Sequence, residues 1–385
     1  MSRIFYALGL HMHQPPANLE LLIKHNEWEA QQIIRCYERA ARYALLYPRH
    51  GRLHVGFSGI LLEQFQDPAL IEQYKKFVDI PHMLELYRRA ENIEFIGMGY
   101  YHPIFPLIPK DDWPEQLEKG WRIVEQVFGR RPTGFWPSEM AFSMEMIPYL
   151  VEAGYEYVIV DHVHVRAKKS DAAVDCYRPY YACYDKARIT IIPRQRDLSN
   201  AQESGLNPGW FLDELGHKLN GIPAKGTTRL VTTWSDGENG GWFRQLDERS
   251  GFFGYFFAPL VDKIMKKETG LQFCKLSDYI KKCPPQQEAV VNTGAWNVAS
   301  TSGYDFAQWN GSESQKKAIK ALFDVSRRYW ELRDRKMTAD KKKDLARARQ
   351  LILDAETSCY LFWGEAWLPK LYEKTAAAEA LFSKI

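Results

Sequence analysis

The sequence contains no apolar run approaching the roughly 18 residues that a membrane span requires, so a membrane is not an expected partner. Its opening, MSRIFYALGLHMHQPP, carries one arginine and a short apolar stretch that runs into histidines and prolines. The longer apolar region and small-residue cleavage site of a secretory signal are missing, and the chain reads as cytoplasmic. There is little charge of either sign in excess: 51 Lys and Arg face 48 Asp and Glu, a net charge of +3. No strong field invites a polyanion, so nucleic acid is not expected either. The six cysteines, Cys36, Cys176, Cys183, Cys274, Cys283 and Cys359, show no CxxC or other close metal spacing and read as buried free thiols. Internal repeats and low-complexity tracts are also missing. The basic run at 341–349 reads as a solvated helix face, and the polar stretch at 197–209 is the nearest approach to a flexible lid.

What the chain does have is aromatic side chains, 14% of its 385 residues, with 12 Trp and 21 Tyr. Aromatic faces bury area and also offer platforms for flat ligands such as sugar rings. Short apolar runs at 3–11, 53–59, 93–101, 133–139, 155–163 and 227–238 read as buried strands. Helical patterns lie between them, at 26–48 and 143–154, the second ending at Gly154. Strand and helix in alternation predict an α/β fold with a parallel sheet. Beyond about residue 312 glycine almost disappears and the pattern becomes helical, which places a C-terminal helical domain at 311–385 after a larger unit at 1–310.

In such folds ligands bind at the carboxyl ends of the strands. Polar residues collect at those ends: His11, His13 and Gln14 after the first run, Tyr101 and His102 after the third, and Glu139 after the fourth. Asp161, His162 and His164 follow the fifth, and Asp236 and Glu238 the sixth. Glu139 and Asp236 on separate strand ends meet the needs of glycoside cleavage, in which one carboxylate attacks the anomeric carbon and a second acid protonates the leaving oxygen. By residue type alone they could equally be salt-bridged structural groups. Glu238, next but one to Asp236, is expected to disfavour ionisation of Asp236 if their side chains approach, or else to pair with a base and order the turn.

Five stretches carry more information together: HMHQPP (11–16), IEFIGMGYYHPIFPLIP (93–109), GFWPSEMAFS (134–143), WSDGENGGW (234–242) and AETSCYLFWG (355–364). In order and context this set resembles glycoside hydrolase family 57. The resemblance implies an incomplete seven-stranded (β/α) barrel, a helical domain leaning over the site, and a retaining mechanism on α-glucans. By motif Glu139 matches the nucleophile and Asp236 the general acid/base. His13 and Gln14 fall in the first segment, whose residues contact the sugar, and His11 points the same way as His13. His102 falls in the second segment, where some members carry glutamate. Trp136, Trp234, Trp242, Trp296 and Trp363 are candidate sugar platforms, with Trp242 and Trp363 first among them because one flanks Asp236 and the other lies in the fifth segment. Asp161 and His164 resemble a stretch of transferase-like members, whereas YYHPI and DGEN look more like amylases, and Ser235 replaces a histidine that many relatives carry.

The expected partner is an α-glucan or maltooligosaccharide. The resemblance requires neither cofactor nor metal, although His11, His13 and His102 are a conceivable zinc set. Hydrolysis is the expected reaction, with 4-α-glucanotransfer or glucan branching as alternatives on the same acid pair. From other classes come a metal-dependent deacetylase using Asp161, His162 and His164, and a non-catalytic glucan-binding protein.

Overall fold

The computed structural model describes residues 3–220, 222, 228–296 and 306–385. The strands are β1 (Ile4–Met12), β2 (Leu53–Phe57), β3 (Ile93–Gly97), β4 (Gly134–Phe135), β5 (Tyr157–Asp161), β6 (Val165–Ala167), β7 (Tyr180–Tyr184), β8 (Ala187–Arg194), β9 (Arg229–Asp236), β10 (Leu271–Phe273) and β11 (Ala289–Val291). Seven of them run parallel in the order β9, β1, β2, β3, β4, β5, β8. The outer two of these, β8 and β9, are neighbours, but a single main-chain bond from Gln195 N to Thr232 O (2.8 Å) joins them where a closed barrel would have a ladder. This is the incomplete seven-stranded barrel.

Strand β1 is the hub. One edge pairs with β9 from Ile4 to His11, while the other is shared between β10 (Ile4–Tyr6) and β2 (Gly9–Met12). It is buried from Tyr6 onward, as a strand flanked on both sides must be. Gly9 has a specific reason to lack a side chain: a Cβ there would sit 2.0 Å from Trp234, whose indole lies across the interior.

Two elements differ from the sequence expectation. The hairpin of β7 and β8 supplies the seventh barrel strand, which the apolar runs did not reveal. Its turn, Asp185–Lys186 at φ 43° and 67°, adopts the left-handed geometry of a tight hairpin without the usual Asn-Gly signal, and Pro193 sits inside β8. The polar stretch at 197–209 is largely helix, Arg196–Ser204 and then the start of Pro208–Leu219, rather than a lid. Gln195 caps the first helix, and Gln202, fully buried, donates to Gly9 O and Ser235 Oγ, so this segment is bonded to the barrel.

From Glu313 the chain is helical: Glu313–Arg333, opened by a capping box of Ser312 and Gln315, then Ala339–Ala355, Ser358–Phe362 and Leu368–Phe382. These helices share one hydrophobic cluster with the barrel, where Leu322, Val325 and Ile352 meet Ile104, Trp113 and Phe142. A buried polar knot adds direction. Asp112 accepts from Ser326 Oγ (2.6 Å), Trp330 Nε1 (2.8 Å) and Arg349 Nη1 (2.6 Å). Arg349 is thus the buried exception within the basic run at 341–349, most of which is solvated or only partly covered. The bridge between Pro103 and Thr357 then carries Cys359, Phe362 and Trp363 over the carboxyl ends of the strands.

Candidate active site

A cleft of about 360 Å³ opens at the carboxyl ends of β1 and β9. His11, His13, Gln14, Glu139, Asp236, Glu238 and Trp363 all line it, joined by Asn239, Arg244, Cys359 and Trp367. Residues from opposite ends of the sequence converge here because strand pairing sets β1 beside β9 in register, His11 opposite Asp236.

Glu139 follows β4 in a short 3₁₀ turn (Ser138–Met140) and adopts φ 58°, ψ 19°; His102, after β3, has φ 58°. Left-handed backbone in two non-glycine residues costs of order 1–3 kcal/mol each and is retained where surrounding bonds enforce it. Trp296 enforces it at Glu139. Its main-chain N–H donates to Glu139 O (2.9 Å) and its indole N–H to Glu139 Oε2 (2.8 Å). At His102, Ser358 N–H donates to the carbonyl (3.0 Å) and Ser358 Oγ lies 2.8 Å from Nδ1.

The two acids differ in charge state. Burial pushes the Glu139 carboxyl up to about 7, His11 and the Trp296 hydrogen bond opposing and the charge of Asp236 adding to it. Burial also works to raise Asp236, but the bond and charge of His11 (Nδ1 to Oδ1, 2.7 Å), with Asn239 (Nδ2 to Oδ2, 2.6 Å) and the charge of Arg194, hold it below the usual carboxylate range. Asp236 therefore does not owe a raised proton affinity to Glu238. The influence runs the other way: burial, then the charge of Asp236, drives Glu238 well above the usual range. Glu238 Oε1 accepts from His13 N–H (3.1 Å), and its carbonyl accepts from Arg244 Nε (2.7 Å). Burial thus brings the Glu139 carboxyl to the middle of its titration near neutral pH, while Asp236 is an anion there.

Imidazoles fill the floor. His11 stacks on Trp136 (4.3 Å between centroids) and meets His102 nitrogen to nitrogen at 2.8 Å, while His13 lies flat on His102 at 3.9 Å. His13 Nδ1 is 2.8 Å from Ser58 Oγ and its Nε2 3.1 Å from Cys359 Sγ. Trp136 is fully buried beneath this layer, so its place is in the floor. Gln14 is held by Tyr37 and Asn18. Each ring nitrogen of His11, His13 and His102 faces a partner, and among the described residues no group of three His, Cys, Asp or Glu is placed to hold a metal ion.

Three candidates stand apart from the cleft. Asp161 is fully buried and ion-paired to Arg194 (3.0 Å) and Arg196 (2.8 Å). His164 is buried, with Nε2 2.8 Å from Ala295 O, and His162 Nδ1 lies 3.0 Å from Arg194 O. These bonds turn the Asp161, His162 and His164 set to structural use and leave it unlike the converging ligand set of a deacetylase. Both Asp161 and His164 nevertheless support Trp296, the residue bonded to Glu139: His164 holds the residue before it, and Arg194, paired with Asp161, lies with its guanidinium 5.2 Å from the Trp296 ring. Trp242 packs among Phe243, Phe252 and Phe256, donates to Gln202 O (3.0 Å), and borders a separate hollow with Tyr255.

Sequence reasoning undervalued Trp296, Arg194 and Trp367, none of which lies in the five recognised stretches. Replacing Trp296 by phenylalanine is expected to raise the proton affinity of Glu139, because the lost indole hydrogen bond favours the carboxylate. A bond to a charged group is worth about 1.5–3 kcal/mol, so kcat/KM at its optimum should fall at least about tenfold while the alkaline limb near pH 7 moves upward. A pH–rate profile of this variant checks both signs.

A parallel partial barrel with two acids in a tryptophan-rimmed cleft at its strand ends is the architecture of a glycosidase-type enzyme. The profile of glycosyl hydrolase family 57 matches residues 7–292, and the chain belongs to that family. It is 26% identical over 328 residues to an α-amylase of Pyrococcus horikoshii, covering 82% of this chain and 45% of that protein. To a 4-α-glucanotransferase of Thermococcus litoralis it is 25% identical over 320 residues, covering 82% and 43%. The chain spans less than half the length of the curated relatives it matches. Among solved structures, the family 57 branching enzyme of Pyrococcus horikoshii superposes with a TM-score of 0.73 at 16% identity, covering all of this chain and 88% of that one. Among the described residues no helix is long and apolar enough to cross a membrane.

Proposed function

We propose that this protein is a retaining enzyme of α-glucans, an α-amylase-like hydrolase of α-1,4-linked glucose chains. The observation that carries the reading is the meeting of Glu139 and Asp236 in one cleft beneath exposed tryptophan. In this reading Glu139 attacks the anomeric carbon and Asp236 protonates the leaving oxygen. Asp236, then ionised, draws a proton from water, which displaces the ester. The pair must carry one proton between them, and the raised Glu139 carboxyl beside the lowered Asp236 supplies one as pH falls below about 7. Loss of that proton leaves no general acid, so kcat/KM should fall as pH rises through about 7. The cysteines are all unpaired, as in a reducing compartment, which supports a cytoplasmic setting.

Phe362 and Trp363, 45% and 56% exposed, rim the cleft with Trp367. A sugar face on Trp363 gains stacking that alanine cannot supply. Trp363→Ala is expected to raise KM for maltoheptaose about 2–10-fold with kcat retained, the range of one aromatic contact. The same rim offers a platform to an acceptor sugar, which favours 4-α-glucanotransfer as the second reading. Chromatography of products from maltoheptaose, with reducing ends counted, separates the two. Shorter sugars with rising reducing ends mean hydrolysis; shorter and longer chains at constant reducing ends mean transfer. No conversion of maltoheptaose would overturn both.

A further inference from the structure

Asp236 is held at both of its carboxyl oxygens. His11 Nδ1 lies 2.7 Å from Oδ1, and Asn239 Nδ2 donates to Oδ2 (2.6 Å). The terminal torsion of an aspartate is broad, so a carboxyl bonded at one oxygen can still swivel, whereas one bonded at both has its plane fixed. A carboxylate offers about four acceptor sites, so both bonds can be made with a site on Oδ2 left for the proton it passes on. The two holders are supported differently. His11 belongs to β1, in register with Asp236, and stacks on Trp136. Asn239 is exposed and stands in a loop, because the strand ladder ends at Asp236 and only the N–H of Gly237, donating to His11 O (2.8 Å), follows it. Bends and turns then run to Arg244, with Gly240 at φ 80°.

An exposed amide on such a loop has no fixed place of its own. Arg244 gives it one: Nη2 donates to Asn239 Oδ1 (3.2 Å), Nε to Glu238 O (2.7 Å) and Nη1 to Glu29 Oε1 (2.8 Å). Glu29 is anchored in turn. It lies in the first turn of the helix Glu27–Leu46, and its Oε2 accepts from Asn26 Nδ2 (3.0 Å), the residue that caps that helix. One planar fork thus ties the loop to a helix end, and Glu29, Asn239 and Arg244 all line the cleft. The orientation of the Asn239 amide follows from its partners, since its oxygen meets a guanidinium that can only donate and its nitrogen meets a carboxylate.

We propose that Arg244 is a positioning residue for the acid/base carboxyl: acting through Asn239, it fixes the plane of Asp236 so that its proton meets the leaving oxygen and, in the second step, its carboxylate meets the incoming water. This inference rests on the assignment of Asp236 as acid/base. It requires no contact between Arg244 and the sugar. The effect has a size, because general acid catalysis contributes about 10²–10⁴-fold and depends on hydrogen-bond reach to the oxygen being protonated, and a misplacement of about 1 Å costs on the order of 10²-fold. A carboxyl free to swivel about its bond to His11 forfeits part of that contribution.

The test compares Arg244→Ala, Asn239→Ala and the double variant, with Asp236→Ala as the reference. Each is assayed on maltoheptaose and on α-maltosyl fluoride, whose leaving group needs little acid assistance, so that kcat/KM on the fluoride reports ester formation without the acid. Both single variants are expected to lose about 10–100-fold in kcat/KM on maltoheptaose, the loss lying in kcat, and to stay within about threefold of the parent on the fluoride. The double variant should fall no more than about threefold below the poorer single one, because the two residues act in series. Losses that multiply in the double variant would mean that Arg244 works by another route, such as its bond to Glu238 O, and would overturn the inference. Equal losses on the two substrates, the mark of a sugar contact or of a general disturbance of the cleft, would also overturn it, as would maltoheptaose turnover within about threefold of the parent in Arg244→Ala. If Asp236→Ala itself lost equally on both substrates, the assignment beneath would fall instead. Should Arg244→Ala not fold, Arg244→Lys takes its place, since an ammonium keeps the charge opposite Glu29 but cannot span all three acceptors. The same dependence on leaving group is expected of it, and turnover of maltoheptaose equal to that of the parent refutes the proposal.

Discussion

Replacing Glu139 with alanine is expected to lower kcat/KM on maltoheptaose by roughly 10⁴-fold or more, the scale set by loss of a covalent nucleophile. The informative part of the experiment is azide. In a retaining α-glycosidase the nucleophile approaches from the β face, so azide in the space left by Glu139→Ala should yield a β-glycosyl azide from α-maltosyl fluoride. In the proposed reading Asp236→Ala leaves the nucleophile in place, and azide should then displace the enzyme ester from the opposite face to give the α-glycosyl azide. The opposite pairing of variant and anomer would exchange the two roles. This matters because burial raises the proton affinity of Glu139 while His11 lowers that of Asp236, an order that by itself would suggest that exchange.

The second large effect is expected at Arg194, which touches no sugar in the proposed reading. Its side chain is fully buried, with Nη1 on Asp161 Oδ2 (3.0 Å), Nε on Trp234 O (2.9 Å) and Nη2 on Asn200 Oδ1 (3.2 Å). It lies at the seam where β8 and β9 lack a ladder, so one guanidinium supplies bonds that strand pairing would otherwise provide. Arg194→Met removes three donors and leaves Asp161 with Arg196 as its remaining arginine. Breaking a buried pair from one side costs about 3–5 kcal/mol, and a fall in the urea midpoint of corresponding size is the expected result. Arg194→Lys should recover only part of it, since an ammonium cannot span all three acceptors. An unchanged midpoint for Arg194→Met would mean that Arg196 holds Asp161 and the seam by itself.

Much of this molecule was legible in its amino acids. Apolar runs ending in polar residues located β1, β2, β3, β4, β5 and β9, because a strand buried on both faces must be apolar until it reaches the rim. The motif contexts gave the family, and they single out Glu139 and Asp236, the two acids of the proposed reading, because both stand in short recognisable stretches. The loss of glycine after residue 312 gave the helical region, because repeated helical spacing can be read locally. The hairpin of β7 and β8 was not legible, as its turn lacks the usual residues and Pro193 disguises the strand.

Tertiary structure alone decided what each polar residue does. Asp161 and Asp236 look alike at the ends of their strands, yet one is fully buried between two arginines and the other opens into the cleft beside His11. The charge state of the acids belongs to the same category. Adjacency to Glu238 suggests a proton on Asp236, whereas the bond from His11, a residue 225 positions away, keeps it ionised. Local sequence specifies which side chains reach the rim; proton affinity depends on burial and on charges brought close by strand register, and both are properties of the folded chain.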